Sequence, residues 1–191
     1  MANRIQKIEL FGIKLDSMPK KYVVDRIFEL TEKKSSSIIC TINVEFIMRA
    51  LSNHDFFNIL NKKSSMNLID GSGVIWGYCV LNSWRPQTPI IKEVYVSLHM
   101  IFAILFYPLL STFLCKRYNK VSGADIAIDI AKEAASRNKT IFLLGNKFGL
   151  DPNAVQKASL ELQTKIYNLR IVGAVSSSPS RENKKALVEE I

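Results

Sequence analysis

Residues that bind transition metals are scarce in this chain. Its 191 residues include only three cysteines and two histidines. The cysteines lie far apart among apolar neighbours, so no pair has the spacing of a zinc site. This pattern is typical of buried, reduced thiols in a cytosolic protein. The residues concerned are Cys40, Cys79, Cys115, His54 and His99.

An export signal and a nucleic-acid-binding motif are also missing. The first 15 residues, MANRIQKIELFGIKL, lack the long apolar core of a signal peptide, so we expect the chain to stay in the cytoplasm. Lysine and arginine number 26 against 17 acidic residues, which gives a formal net charge of +9. These cations are scattered and are not interleaved with aromatic residues. The charge therefore favours an anionic membrane or a phosphorylated ligand over nucleic acid.

Alternating strand and helix patterns predict an α/β fold. Strands that alternate with helices imply βαβ units, and hence a mostly parallel sheet covered on both faces, in a single domain of residues 1–191. Asp16 is predicted to cap the first helix. Residues 7–14 are predicted to form a strand or a hairpin edge. The other predicted strands are residues 36–41, 66–69, 140–144 and 169–175. The first predicted helix follows Asp16 and ends at about residue 33. The other predicted helices span 44–62 (with a break near 52–53), 73–81, 122–137, 152–167 and 179–191. Because the chain stops inside the last of these helices, we expect a C-terminally truncated or unusually short relative of a longer fold.

An uncharged apolar insertion interrupts this alternation at about residues 90–118. Residues 94–115 contain no Asp, Glu, Lys or Arg, and roughly 20 apolar residues suffice to span a bilayer. A single crossing would place strands of one sheet on opposite sides of the membrane, and Pro108 removes a helical hydrogen bond. We therefore predict a re-entrant or interfacial helix pair docked on an anionic leaflet. A core helix and a true membrane span are the alternatives.

An acidic residue stands where an apolar strand gives way to a glycine turn. Residues 69–76 read IDGSGVIW, and ligands of open α/β sheets bind at the carboxyl ends of strands. Gly71 and Gly73 let a substrate approach the backbone and leave N–H groups of the next helix facing an anion. A carboxylate would repel a phosphate bound directly against it, so Asp70 is predicted to serve a hydroxyl, as a base near an anionic leaving group. Capping of the following helix is an equally good interpretation of Asp70.

The end of a second strand carries further polar side chains. Thr41 and Asn43 follow the strand predicted at 36–41. Together with Asp70 they predict a pocket for a polyhydroxylated substrate. Helix capping is at least as good an explanation of Thr41 and Asn43.

Residues 143–149 (LLGNKFG) form the best candidate anion site. They join a strand to a helix, and they offer backbone N–H groups at Gly145 and the charge of Lys147. A plain strand-to-helix turn is the alternative. Residues 71–77 match a dinucleotide loop only loosely, and the chain has no DxD pair of the kind that a metal-dependent sugar-nucleotide site uses.

Another turn, at Ser122, opens a helix. Ser122 can cap this helix, and Asp125 can complete a capping box with it.

Taken in order, these motifs resemble the WecG/TagA/CpsF glycosyltransferase family. The matching segments, with the N-terminal strand and helix, cover nearly the whole chain except residues 83–118. They are residues 41–43 (TIN), 69–76 (IDGSGVIW), 120–125 (KVSGAD), 141–149 (IFLLGNKFG) and 169–173 (LRIVG).

The resemblance implies a Rossmann-like α/β fold and a sugar-transfer reaction without a metal or other cofactor. The donor would be a UDP-sugar, typically UDP-N-acetylmannosamine, and the acceptor N-acetylglucosaminyl-diphospho-undecaprenol, a polyprenyl-diphosphate-linked sugar. The enzyme would act as a peripheral protein on the cytoplasmic face of a bacterial membrane, in the synthesis of teichoic acid linkage units or other surface polysaccharides. The expected partners are the donor, the acceptor and the membrane surface, with a homo-oligomer left open.

The resemblance also implies roles for individual residues. Asp70 falls on the catalytic aspartate of the family, and Thr41 and Asn43 fall on its substrate-contacting residues. We predict that Asp70 and Thr41 are catalytic. The expected substrate-binding residues are Asn43, Gly71, Gly73, Lys120, Gly123, Gly145 and Lys147.

Two departures from the family pattern stand out. Lys120 occupies a position where the family usually has arginine, which keeps the charge but loses bidentate phosphate geometry. The family's PKQE segment with its following Trp, and its basic C-terminal tail, have no counterpart in these residues, and the apolar insertion is the expected substitute for the tail in docking. A non-catalytic, truncated relative that binds a nucleotide sugar at the membrane is the alternative function. An NAD-dependent enzyme that uses the glycine loop is a weaker one.

Overall fold

A β-hairpin begins the fold. The structure is a computed structural model that describes residues 5–33, 35–83, 118–145 and 153–176, together with 91, 93–95, 97, 98 and 101. Strands β1 (Gln6–Leu10) and β2 (Ile13–Ser17) pair antiparallel, with Leu10 opposite Ile13. The two turn residues, Phe11 and Gly12, both have positive φ, of 51° and 78°. This is the geometry of a type I′ hairpin turn, whose twist matches that of the strands.

The first helix, α1 (Lys20–Thr31), begins without the predicted aspartate cap. Asp16 lies within β2, where its Oδ2 accepts a hydrogen bond from the backbone N–H of Asn67 at 2.9 Å. Pro19 precedes the helix instead, with φ of −60° and no side-chain cap. Proline fits this place because its ring fixes a φ suited to the start of a helix and its missing N–H is not needed there. The prediction that Asp16 caps α1 was therefore wrong.

Two parallel strands extend the hairpin into a four-stranded sheet with the order β1-β2-β4-β3. Strands β3 (Ile38–Ile42) and β4 (Ser64–Ile69) pair parallel, and β2 joins β4 through Asp16 opposite Leu68. Helices α2 (Val44–Ser52) and α3 (His54–Asn58) connect β3 to β4, and a π-helical turn at Ile59–Lys63 follows α3. The predicted helix break near 52–53 is confirmed, because the Asn53 side chain accepts from the backbone N–H of Phe56 and starts α3.

One face of this sheet packs on the main hydrophobic core. Alternate hairpin residues face this core, whereas the residues between them are polar. Helix α4 (Ser72–Ser83) follows β4 and adds two buried residues to the core. In the middle of α4, the ring of Tyr78 meets that of Tyr118 edge to face, with centroids 5.5 Å apart. The core consists of Ile8, Leu10, Ile13, Leu15, Ile42, Ile47, Ala50, Leu60, Ile69, Val74 and Ile75.

A buried amide ties the hairpin to the rest of the sheet. Asn67 on β4 is only 4% exposed. Its Nδ2 donates to the carbonyl of Lys14 at 2.9 Å and to the carbonyl of Leu60 at 2.8 Å. The side chain therefore satisfies two backbone acceptors that belong to β2 and to the π-helical turn.

The chain divides into two compact units, Met1–Ile126 and Ala127–Ile191, and the second unit contains a βαβ motif. Helix α5 (Gly123–Ser136) runs across the boundary between the units. Strands β5 (Thr140–Gly145) and β6 (Arg170–Ser176) pair parallel, and α6 (Ala154–Lys165) lies between them in sequence. A small core fixes the motif, formed by Ala131, Ile166 and Leu169 with Ala135, Ile141, Leu162 and Ile171 around them.

These elements confirm the α/β pattern and the mostly parallel pairing that the sequence predicts. The described strands form two sheets, of four and two strands, whereas the sequence suggested one. Hydrophobic periodicity identifies a strand but does not show which strands lie next to it. The sequence therefore could not predict how the strands are divided between sheets. A single domain spanning 1–191 stays a prediction.

Most of the apolar stretch at 94–115 and the predicted helix at 179–191 lie outside the described residues. Within the part of the chain that the structure describes, no helix is long and apolar enough to cross a bilayer. The nature of the apolar insertion therefore stays a prediction.

Candidate functional site at the carboxyl edge of the first sheet

The ends of β3 and β4 lie side by side and bring three of the predicted site residues to one edge. The backbone N–H of Asp70 donates to the carbonyl of Ile42 at 2.8 Å. Because β3 and β4 are parallel, Thr41 and Asn43 therefore stand at the same carboxyl edge as Asp70. The structure brings these three residues together as the sequence predicted.

A third segment, residues 119–123, completes this edge. The backbone N–H of Val121 donates to the carbonyl of Ile69 at 2.8 Å, directly before Asp70. Fully buried Ser17, at the end of β2, accepts from the N–H of Asn119 through its Oγ at 2.8 Å. Lys120 lies between these two anchors and is exposed. Sequence reasoning missed Ser17, because no local pattern signals a contact across 102 residues.

Glycines allow the three segments to approach one another. Gly123 lies against Thr41, since a Cβ at position 123 would stand 3.7 Å from Thr41 Oγ1. A Cβ at Gly73 would stand 3.1 Å from a methyl group of Val44, so the β3–α2 and β4–α4 turns are in tight contact. Gly71 has φ of +94°, a conformation that L side chains rarely adopt. The backbone therefore requires glycine at the position that follows Asp70.

Two of the polar side chains act as helix caps, as the alternative interpretation proposed for Asn43. The Oδ1 of Asn43 accepts from the N–H of Phe46 at 2.9 Å and starts α2. Its amide nitrogen remains as a hydrogen-bond donor. At α5, the N–H of Asp125 donates to Ser122 Oγ at 3.2 Å, and the N–H of Ser122 donates to Asp125 Oδ2 at 3.4 Å. This reciprocal pair confirms the predicted capping box.

Asp70 itself does not cap α4 through any hydrogen bond within the described parts of the chain. Its side chain is half-buried, and no group in residues 5–33, 35–83 or 118–145 donates to its carboxylate. A carboxylate whose lone pairs are not already engaged can accept a proton from a substrate hydroxyl. The role of Asp70 as a general base stays a prediction.

A thiol lies next to the site on β3. Burial raises the pKa of Cys40 above its usual value, so the thiol stays protonated and unreactive near neutral pH. This agrees with the interpretation of the cysteines as structural, reduced residues.

The predicted anion site at residues 143–149 is described only in part. Lys147 lies outside the described residues. Gly145 ends β5, where a Cβ would overlap the side chain of Val155 on α6. Glycine at 145 therefore lets α6 pack closely on the strand, and its role in substrate binding stays a prediction.

A carboxylate, two glycine turns and a cation lie at the carboxyl edge of parallel strands. This is the edge at which open α/β proteins bind their ligands, so the fold and the site are those of this class. Comparison with family models identifies the family within this class. The model described as "Glycosyl transferase WecG/TagA/CpsF family" matches residues 8–98 and 107–191, so the chain belongs to that family. This confirms the resemblance drawn from the ordered motifs. A search of curated proteins found no match.

Proposed function

We propose that this glycosyltransferase-family protein transfers a sugar from a UDP-sugar to a polyprenyl-diphosphate-linked sugar in bacterial surface polysaccharide synthesis. The sugar would be N-acetylmannosamine or a related hexose. We also propose that the fold is Rossmann-like, as the resemblance to the family implies. Family membership supports the reaction class. The observation that carries the proposal is the position of Asp70 at the end of β4. Two backbone hydrogen bonds of 2.8 Å hold this strand end, one from Asp70 to Ile42 at the end of β3 and one from Val121 to Ile69.

In the proposed reaction, Asp70 acts as the base in a single inverting displacement. The acceptor hydroxyl oxygen attacks the anomeric carbon of the donor as its proton passes to the carboxylate. The bond from the anomeric carbon to the diphosphate breaks, and its electron pair leaves with UDP. We propose that Thr41, which lies across from Gly123, and the amide nitrogen of Asn43 hold sugar hydroxyls at this edge.

The negative charge that develops on UDP needs donors or cations nearby. Lys120 is exposed at the edge and offers an ammonium group. The N-terminus of α4, reached through Gly71, offers backbone N–H groups and the positive end of a helix dipole. Gly145 and Lys147 are proposed as further contacts to the diphosphate, without a cofactor.

An acceptor with a polyprenyl chain requires the protein to work at a membrane surface. Among the described helical residues of the insertion, Ile91, Val94, Leu98 and Ile101 are at least half exposed. Their spacing of three, four and three residues places them on one helical face. Exposed apolar residues in a chain of strongly positive net charge support interfacial docking on an anionic leaflet. We propose peripheral association with the cytoplasmic face of the cell membrane.

Membrane docking is expected to weaken when this face is made acidic. The double variant Leu98→Glu/Ile101→Glu should bind phosphatidylglycerol-containing vesicles at least about tenfold less in co-sedimentation, because each side chain contributes roughly 1.5–3 kcal/mol when buried in an apolar phase. Leu160→Glu is the matched control, since Leu160 on α6 is 66% exposed, close to the 61% of Leu98. Equal vesicle binding by the double variant and the native chain would remove the docking proposal.

The reaction is tested with radiolabelled UDP-N-acetylmannosamine and a short-chain lipid-diphosphate acceptor. We expect release of UDP that depends on the acceptor, together with transfer of label to the lipid. The rival, a non-catalytic nucleotide-sugar-binding protein, would bind UDP and release none. If UDP raises the melting temperature of the protein and NAD does not, the NAD-dependent alternative is ruled out.

A further inference from the structure

A groove separate from the reaction edge lies between α1 and the polar face of the hairpin. Its volume is about 490 Å³, within the range of small-molecule sites. Its floor includes the start of β4, whereas Asp70 follows the end of that strand. At about 3.3 Å per residue, four residues from Met66 to Asp70 separate the two sites by roughly 13 Å along β4. The lining residues are Ile5, Lys7, Asp16, Met18, Tyr22, Asp25, Arg26, Glu29, Ser65 and Met66.

The charges of the groove are mixed, and two of its carboxylates already have hydrogen-bonding partners. Arg26 pairs with Glu29 at 2.6 Å. Lys7 stands directly opposite Asp16 on the hairpin, and Asp16 already accepts from the N–H of Asn67. The walls carry three carboxylates and two cations in all. Such a lining repels a phosphate and gives a simple cation only a weak preference.

Apart from Ser65, the remaining lining is apolar and includes an aromatic ring. Met18 and Met66 are buried, and Tyr22 is half exposed at the groove. A ligand must therefore offer both C–H surface for the ring and methionines, and groups that donate and accept hydrogen bonds for the charged walls. Sugar hydroxyls do both, since each has one donor and two acceptor positions. A neutral sugar also leaves the existing ion pair undisturbed.

A metal ion does not fit these observations. Within the part of the chain that the structure describes, no group of three His, Cys, Asp or Glu side chains is arranged to hold one.

We propose that this groove binds a neutral oligosaccharide of about two sugar rings, at a site distinct from the reaction edge. This binding does not depend on the proposed transfer reaction. If both occur, the protein holds one glycan in the groove while another sugar reacts at Asp70.

The test is calorimetric titration of the full chain with N,N′-diacetylchitobiose, a neutral disaccharide. Saturable binding is expected, weakened at least about tenfold by Tyr22→Ala and by Asp25→Ala. Tyr167→Ala and Asp55→Ala are the matched controls, because both residues are exposed and neither lines the groove. Circular dichroism checks that each variant is folded, which we expect because Tyr22 and Asp25 are exposed on α1.

The glycan assignment would be overturned by no heat of binding with the disaccharide, by equal weakening in the control variants, or by tighter binding of spermidine than of the disaccharide. Competition by UDP would place the disaccharide in the donor site and would also overturn it. Acceptor-dependent UDP release is scored separately. If the chain transfers sugar but does not bind the disaccharide, only the groove proposal is overturned. If the disaccharide binds and Asp25→Ala weakens this binding, but no transfer activity is found, only the proposed function is overturned.

Discussion

Replacing Asp70 with Asn is expected to lower turnover by about 10²- to 10⁴-fold and to leave the fold intact. The amide keeps the shape of the side chain but cannot take the proton of the acceptor hydroxyl. The fold should survive, because no described residue relies on the Asp70 carboxylate and the strand end is held by backbone hydrogen bonds of Asp70, Ile42, Ile69 and Val121. The measurement is acceptor-dependent release of UDP.

The matched control for this variant is Asp55→Asn, which makes the same change in the first turn of α3. It should leave turnover near the native value. Melting temperatures should be similar for both variants and the native chain, so that a lower rate cannot come from unfolding. Near-normal turnover in Asp70→Asn would show that another group removes the proton.

The largest effect on stability is expected at Asn67. Truncation in Asn67→Ala removes two hydrogen bonds, so the carbonyl of Lys14 loses its side-chain donor, whereas the carbonyl of Leu60 keeps the hydroxyl of Ser64 as a donor. A lost bond costs about 1–3 kcal/mol where the acceptor is left unsatisfied and about 0.5–1.5 kcal/mol where it is not. We expect the free energy of unfolding to fall by about 2–4 kcal/mol in urea or thermal denaturation.

Asn61 provides a close comparison for Asn67. Its Oδ1 accepts from the N–H of Lys14 at 3.2 Å and its Nδ2 donates to the carbonyl of Gly12 at 3.0 Å, so it also binds the hairpin by two hydrogen bonds. These bonds are exposed, and water can replace them in Asn61→Ala. The expected loss is about 0.5–1.5 kcal/mol. If the two asparagines lose the same amount, burial is not the cause of the Asn67 effect.

Much of the local structure could be predicted from the sequence because hydrophobic period is a local signal. The strands at 38–42 and 140–145 and the helix at 123–136 agree with the predicted segments to within two residues. The error at Asp16 has a physical cause. The strand or hairpin edge predicted at 7–14 ended before this residue, whereas a two-residue turn at Phe11 and Gly12 creates a second strand that contains it.

The candidate site was predictable where parallel strands determine it. Thr41, Asn43 and Asp70 follow neighbouring strands, so their shared edge follows from the topology. The anchoring of residues 119–123 by Ser17 and Ile69 was not predictable, because contacts over such sequence distances leave no local pattern. For Asn43, the sequence left capping and substrate contact open. The structure shows that the oxygen caps α2, and the substrate contact stays a prediction.

The ring contact between Tyr78 and Tyr118 has a consequence for how relatives of this chain can differ. It brings together two residues that lie 40 positions apart in the sequence, so the segment between them starts and ends at one place. Lengthening a closed loop costs little, about 0.6 kcal/mol for each doubling. Relatives can therefore differ in the length of the segment between these tyrosines while Asp70 and its neighbours keep their places.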